Sequence, residues 1–205
     1  MKYSINENFF EIIDSKEKAY WFGFLCADGC VRDDGVIEVS LQEGDCHHIE
    51  KFKNILSSSH PIKHRVINNK YDVVRFSFCS KKIANDLINN GCMPRKSLIL
   101  SFPKNSINNG IMSHFIRGYF DGDGGVHYSE HTYFNKNRNK NYLMYKFVAY
   151  FSGNENFLCD LKQYLEGKNI SVSKIYKDKR SNNCSIEIKG KENLLRFYKY
   201  ILRLL

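Results

Sequence analysis

The chain has 205 residues with 31 Lys plus Arg against 22 Asp plus Glu, a net charge of +9 that favours a polyanionic partner. Its seven cysteines are odd in number and form no close CxxC pair, which excludes a disulfide framework and points to reduced thiols. No apolar run is long enough to span a membrane and Met1-Lys2-Tyr3 opens no signal peptide, so the expected setting is cytoplasmic (nucleoid-associated) or organellar, not secreted.

In chain order, Asn6 to Ile13 reads as a short lead-in with Phe9, Phe10 and Ile13 packing inward. Asp14-Ser15-Lys16-Glu17 resembles a capping box with Asp at the cap, opening a helix through Ala27. Val36 to Gln42 alternates, with Ile37, Val39 and Leu41 on one face and Glu38, Ser40 and Gln42 on the other, the pattern of a half-buried strand. Asp45 to Leu56 returns to helical spacing; Cys46-His47-His48 within it lacks a second ligand pair at metal spacing, so no zinc is expected there. Ile62 to Val66 and Asp72 to Phe78 flank the turn formers Asn68-Asn69-Lys70, a hairpin, and Lys81 to Asn89 makes a helix stopped by Asn90-Gly91. The second half repeats that order: a helix around Ile116, a strand from Tyr145 to Phe151, a helix from Asn154 to Glu166, a hairpin through Ser173 to Ile188 and a helix from Lys191.

Two segments carry the repeat. Ala19-Tyr20-Trp21-Phe22-Gly23-Phe24-Leu25-Cys26-Ala27-Asp28-Gly29 and His114-Phe115-Ile116-Arg117-Gly118-Tyr119-Phe120-Asp121-Gly122-Asp123-Gly124 align without a gap at an offset of 118 − 23 = 123 − 28 = 95. An internal duplication is the simplest account. Residues four apart share a helix face, so Gly23 with Ala27, and Gly118 with Gly122, make smooth strips on which two helices can meet backbone to backbone. Gly costs about 1 kcal/mol relative to Ala inside a helix, so close approach, and not propensity, accounts for the glycines. Asp28 and Asp123 then fall at the helix C-termini, with Gly29 and Gly124 where a left-handed cap is expected. A carboxylate at the negative end of a helix dipole calls for a positive partner, and a divalent cation taking oxygen ligands is the economical one.

These segments, Trp21 to Gly29 and Ile116 to Gly124, resemble the paired motifs of LAGLIDADG homing endonucleases in their single-chain, two-repeat form. The resemblance implies an α+β fold of two pseudo-symmetric αββαββα-type repeats, here 1–104 and 105–205, with the motif helices at the interface and two antiparallel DNA-binding sheets. It further implies that Asp28 and Asp123 bind the catalytic metals, two or three Mg2+ ions, with the backbone carbonyls of Ala27 and Gly122. The expected activity is site-specific hydrolysis of both strands of double-stranded DNA across the minor groove, leaving short 3′ overhangs, by a monomer on a long, weakly symmetric site. Intron homing by a mobile element is the implied biology. One departure stands out: the sixth motif position is Asp121 in the second copy but Cys26 in the first. Gly91-Cys92-Met93-Pro94-Arg95-Lys96-Ser97 resembles the family segment bearing a catalytic lysine, which nominates Lys96; the second repeat is expected to stop before a matching segment.

Outward-facing positions on such sheets nominate Glu38, Ser40, Gln42, Lys63, Arg65, Arg75 and Ser77 in the first repeat, and Lys146, Lys174, Tyr176, Lys177, Lys179, Arg180 and Glu187 in the second, as readers of bases or holders of phosphates. Aligning Leu41 with Phe151 gives an offset of 110, hence 110 − 95 = 15 extra residues in the second repeat. These include the basic tip Asn135 to Lys140, whose Lys136, Arg138 and Lys140 would reach flanking phosphates. An RNA-splicing maturase and a non-cleaving, sequence-specific DNA-binding protein are the alternatives on the same scaffold. Neither needs both acids, so the presence of Asp28 and Asp123 favours the nuclease.

Overall fold

Ser15, not Asp14, caps the first helix. In the computed structural model, which describes residues 3–67, 70–96, 99–178 and 183–202, the Ser15 hydroxyl accepts from the Lys18 amide and α1 runs Lys16–Ala27. Asp14 instead pairs with Lys18 at 2.8 Å one turn on. The box is displaced by one residue because Ser15 takes the extended backbone that the cap position needs, leaving Asp14 outside.

After α1 come β1 (Cys30–Val31), β2 (Val36–Gln42), a single 3-10 turn Glu43–Asp45, α2 (Cys46–Ile55), β3 (Ile62–Ile67), β4 (Tyr71–Cys79) and α3 (Lys81–Asn89). The order recurs as α4 (Met112–Asp123), β5 (Gly124–Asn135), β6 (Lys140–Gly153), α5 (Glu155–Glu166), β7 (Tyr176–Lys177), β8 (Cys184–Lys189) and α6 (Lys191–Ile201). Both sheets are four-stranded and antiparallel, ordered β1-β2-β4-β3 and β5-β6-β8-β7, so each repeat is αββαββα. Packing divides the chain into two compact units, one up to Gly122 and one from Asp123 on, so nearly all of α4 belongs with the first.

In the first unit, Ile37, Val39, Val74, Phe76 and Phe78 form the inner face of the sheet. Phe52 and Ile49 of α2 join them, and Ile83 and Leu87 of α3 are buried too. Phe9, Phe10 and Ile13 are buried as the lead-in pattern requires. In the second unit Ala149, Phe151, Ile186 and Ile188 form the equivalent face, and Phe157, Leu158, Leu161 and Phe197 are among the buried residues of α5 and α6. Burying such a side chain is worth about 1.5–3 kcal/mol, which explains why the alternating strands and amphipathic helices follow their patterns.

Two expectations change. Neither Gly29 nor Gly124 adopts a left-handed conformation: Asp28 ends α1 in a right-handed conformation, and α4 passes directly into β5. Gly29 is small for another reason, since a Cβ there would lie 2.7 Å from the Leu25 carbonyl oxygen. The insertion is also longer. Ile37 pairs with Phe78 and Ala149 with Ile188, and Phe78 and Ile188 each lie three residues before the next helix, so the true strand offset is 149 − 37 = 112 and the insertion 112 − 95 = 17 residues. A slip of two residues keeps every side chain on its face, which is why alternation alone does not detect it. The extra length forms a long hairpin, β5 and β6, paired from Gly124–Phe151 out to Asn135–Lys140. Asn68 and Asn69 of the other hairpin turn lie outside the described residues.

Candidate metal centre and nucleic-acid interface

α1 and the part of α4 up to Gly122 meet along the small-residue strip. A Cβ on Gly23 would sit 3.0 Å from the Tyr119 amide nitrogen and fall on the Phe115 carbonyl; one on Gly118 would sit 2.9 Å from the Phe24 amide nitrogen and fall on the Tyr20 carbonyl. Further along, a Cβ on Gly122 would be 2.5 Å from the Ala27 Cβ and 3.4 Å from the Asp28 Cγ. The contacts advance together along both helices, so the pair runs parallel and delivers the Gly122 backbone beside Asp28.

Asp28 follows α1 directly and is solvent-accessible, yet the atoms crowded round it push its carboxyl above the usual carboxylate range, an effect the Lys96 ammonium opposes. Lys96 is half-buried and donates its Nζ to the Gly29 carbonyl. The nominated lysine thus stands next to the nominated acid, although 67 residues separate it from Gly29. Asp123, half-buried, is the last residue of α4. Cys26, at the sixth motif position, is buried, and burial drives its thiol pKa up. Its counterpart Asp121 is exposed, accepts from the Tyr20 hydroxyl at 2.7 Å and lies 3.9 Å from Arg117. Tyr20, Trp21, His48, Lys51, Arg117 and Asp121 are among the residues lining a cleft of about 520 Å³, a grouping that helical spacing within one segment could not show.

On the first sheet, cross-strand partners put Glu38, Ser77, Ser40, Arg75, Lys63, Gln42 and Arg65 on one face, away from the core. Ser40, Gln42, Lys63 and Arg65 are exposed; Arg75 is half-buried and ion-paired with Glu38. On the second sheet, Lys146 is exposed opposite Ser129, and Glu187 pairs with Tyr150 on that same face. Lys174 is exposed with its Nζ 5.7 Å from the centre of the Tyr176 ring. Lys136 and Arg138 are exposed in the turn at the hairpin tip, with Lys140 opening β6. Lys177 departs from expectation: it pairs with buried Cys184, so it belongs to the helix side of the sheet, because strand alternation cannot place Tyr176 and Lys177 on one face. Lys179 and Arg180 lie outside the described residues. β5 adds His127, Ser129 and His131 to the polar face, none of them nominated from sequence.

A duplicated motif whose helices pack through glycine and end in acids, each followed by an antiparallel sheet, defines the LAGLIDADG fold. Residues 111–202, which contain the second motif, match the family model of the LAGLIDADG-like domain. In structure the chain is similar to the meganuclease I-SmaMI bound to uncleavable DNA with a TTCT central four, at 12% identity and a TM-score of 0.63, covering 93% of this chain and 86% of that one. It is also similar to the I-LtrWI LAGLIDADG homing endonuclease bound to target DNA, at 10% identity and a TM-score of 0.59, covering 95% and 84%. No curated protein matches the chain in sequence. Among the described residues no helix is long and apolar enough to cross a membrane.

Proposed function

We propose that the chain is a site-specific endonuclease of double-stranded DNA that uses a divalent metal, with repeats 1–104 and 105–205 each engaging one half of a long site and the chain acting as a monomer. The observation that carries this reading is the Asp28 carboxylate with the Lys96 ammonium beside it, at the end of a helix that meets its duplicate backbone to backbone. The donor set fits a hard cation: a carboxylate whose charge is disfavoured by its surroundings stands at a helix C-terminus, where the last carbonyls lack intrahelical partners.

Asp28 and Asp123 would hold Mg2+ with the Ala27 and Gly122 carbonyls; when bound, the ion supplies an activated water and neutralises charge on the scissile phosphate. Asp28 and Asp123 contribute the anionic charge that fixes the ion at each helix end. Lys96, reoriented from the Gly29 carbonyl, places positive charge at the phosphate oxygens as negative charge develops there. The basic and amide side chains of the two polar sheet faces hold phosphates and read base edges in the major groove. I-SmaMI has been captured on uncleaved DNA in the presence of calcium ions and on cleaved DNA, which supports extending a DNA-cutting role to this chain.

The test incubates the purified chain with duplex DNA flanking its own gene, with Mg2+ or with chelator. Mg2+-dependent double-strand breaks are expected, lost in Asp28→Asn and Asp123→Asn while binding persists. Loss of the metal charge at about 4 kcal/mol corresponds to a fall of about 10³-fold in rate. Undiminished cutting by either variant, or binding of the duplex by the wild type without any cutting, overturns the proposal.

A further inference from the structure

On the helix side of the first sheet, three elements converge on one point. Glu43 lies in the 3-10 turn, Cys46 is the first residue of α2, and His64 is in β3 opposite buried Val74. Each offers a ligand atom, and these atoms lie within 4.8 Å of one another; among the described residues no other three His, Cys, Asp or Glu side chains do so. His64 Nδ1 is 2.8 and 2.9 Å from the two Glu43 oxygens. Asp72 lines the same small cleft, of about 280 Å³, with Glu43, His64, Arg65 and Val66.

We propose that Glu43, Cys46 and His64 form a binding site for a zinc-type transition metal ion, with Asp72 or water in the fourth position. A thiolate, an imidazole and a carboxylate make the mixed soft and borderline donor set that selects Zn2+ or Co2+ over Mg2+. Tetrahedral bonds of about 2.0–2.3 Å put ligand atoms roughly 3.5 Å apart, a closure within reach of side chains as open as Glu43 and His64. Cys46 sits at the N-terminus of α2, where the helix dipole favours thiolate. Partial desolvation and the Glu50 and Glu43 carboxylates raise its thiol pKa, and a bound cation offsets that repulsion. On binding, the thiol proton leaves to solvent and sulfur donates its electron pair to the metal.

The site has a structural use. Apart from Ile62, β3 is exposed along its whole length and pairs only with β4 within its sheet, so a metal joining His64 to α2 would clip this edge strand in place. Lys63 and Arg65, which flank His64 and face the other way, would be held with it.

The test is titration of the full chain with Co2+ followed by displacement with Zn2+. A thiolate-to-cobalt charge-transfer band saturating at one equivalent is expected in the wild type and in Asp28→Asn. It should vanish in Cys46→Ser, and His64→Gln should bind at least about tenfold more weakly. Circular dichroism checks that both variants fold, and if Cys46→Ser does not, His64→Gln decides. A wild-type chain without the band, or a band that persists in Cys46→Ser, or undiminished binding in His64→Gln, overturns the site.

Discussion

The two hairpins that follow the motif helices share a topology and little else. In the first repeat β1 has two residues and β2 seven; in the second, β5 has twelve and β6 fourteen. The short hairpin stays over its helices and keeps one face buried. The long one outruns them: Ala149 and Phe151 are covered, but Tyr145 and Phe147 on the same face are 58% and 52% exposed, with the Tyr128 ring stacked on Tyr145 at 6.0 Å and tilted against Phe147 at 5.0 Å. Core packing therefore dictates strand order in both repeats, whereas hairpin reach is free to vary, and the second repeat uses that freedom to carry Lys136, Arg138 and Lys140 to a tip.

The repeats also differ beside their motif acids, and a lysine substitution tests that asymmetry. Lys96 belongs to the first repeat and stands beside Asp28. Lys96→Met should slow cleavage of the strand it serves by about a hundredfold, with nicked duplex accumulating on a gel. Equal slowing of both strands would show that one lysine serves the whole site.

Where the repeats meet in α1 and α4 they are alike, and there a single methyl should be decisive. Gly118→Ala pushes a Cβ onto the Tyr20 carbonyl, a backbone atom that cannot rotate away, and should destabilise the fold by about 3 kcal/mol in urea unfolding. Gly44→Ala meets nothing within 4 Å and should change stability by less than about 0.5 kcal/mol. Equal midpoints for the two variants would contradict backbone-to-backbone packing.

The hairpin difference predicts a smaller, graded effect. Replacing Lys136, Arg138 and Lys140 with Gln should lower the slope of log affinity against log salt by about 0.9 for each phosphate left unneutralised, near 3 for all three. Replacing Lys63 and Arg65 on the first sheet should lower it by about 2. An unchanged slope for the tip variant would leave the hairpin without a phosphate role.

How much of this is legible in the sequence depends on whether the signal is local. The gapless motif offset, the Gly23, Ala27, Gly118 and Gly122 strip and the alternation of Val36 to Gln42 are each written within a few residues of sequence, and the structure carries all three. β5 is not legible because Gly124 to Asn135 is exposed on both faces for most of its length, so no apolar period marks it. The insertion comes out two residues short because a strand slipped by two looks the same. His64 lies 18 residues beyond Cys46 in the cluster with Glu43, and the Tyr20 to Asp121 bond spans 101 residues, ranges at which spacing carries no information.

The sixth motif position gives the finest contrast. Cys26 is sealed in the core of α1, while Asp121 is open to solvent and tied to Tyr20, whose hydroxyl also lies 3.3 Å from His48. Burial and the Asp121 charge hold the Tyr20 phenol well above its ordinary pKa, so it stays a neutral donor at every working pH. Tyr20→Phe removes that donor without opening a cavity, and water can replace it at the exposed carboxylate. The cost should therefore be only about 1 kcal/mol of stability, with cleavage unchanged. A loss several times larger would mean that Tyr20, Asp121 and His48 act as one coupled network, and the double variant with Asp121→Asn would then fall short of the sum of the single effects.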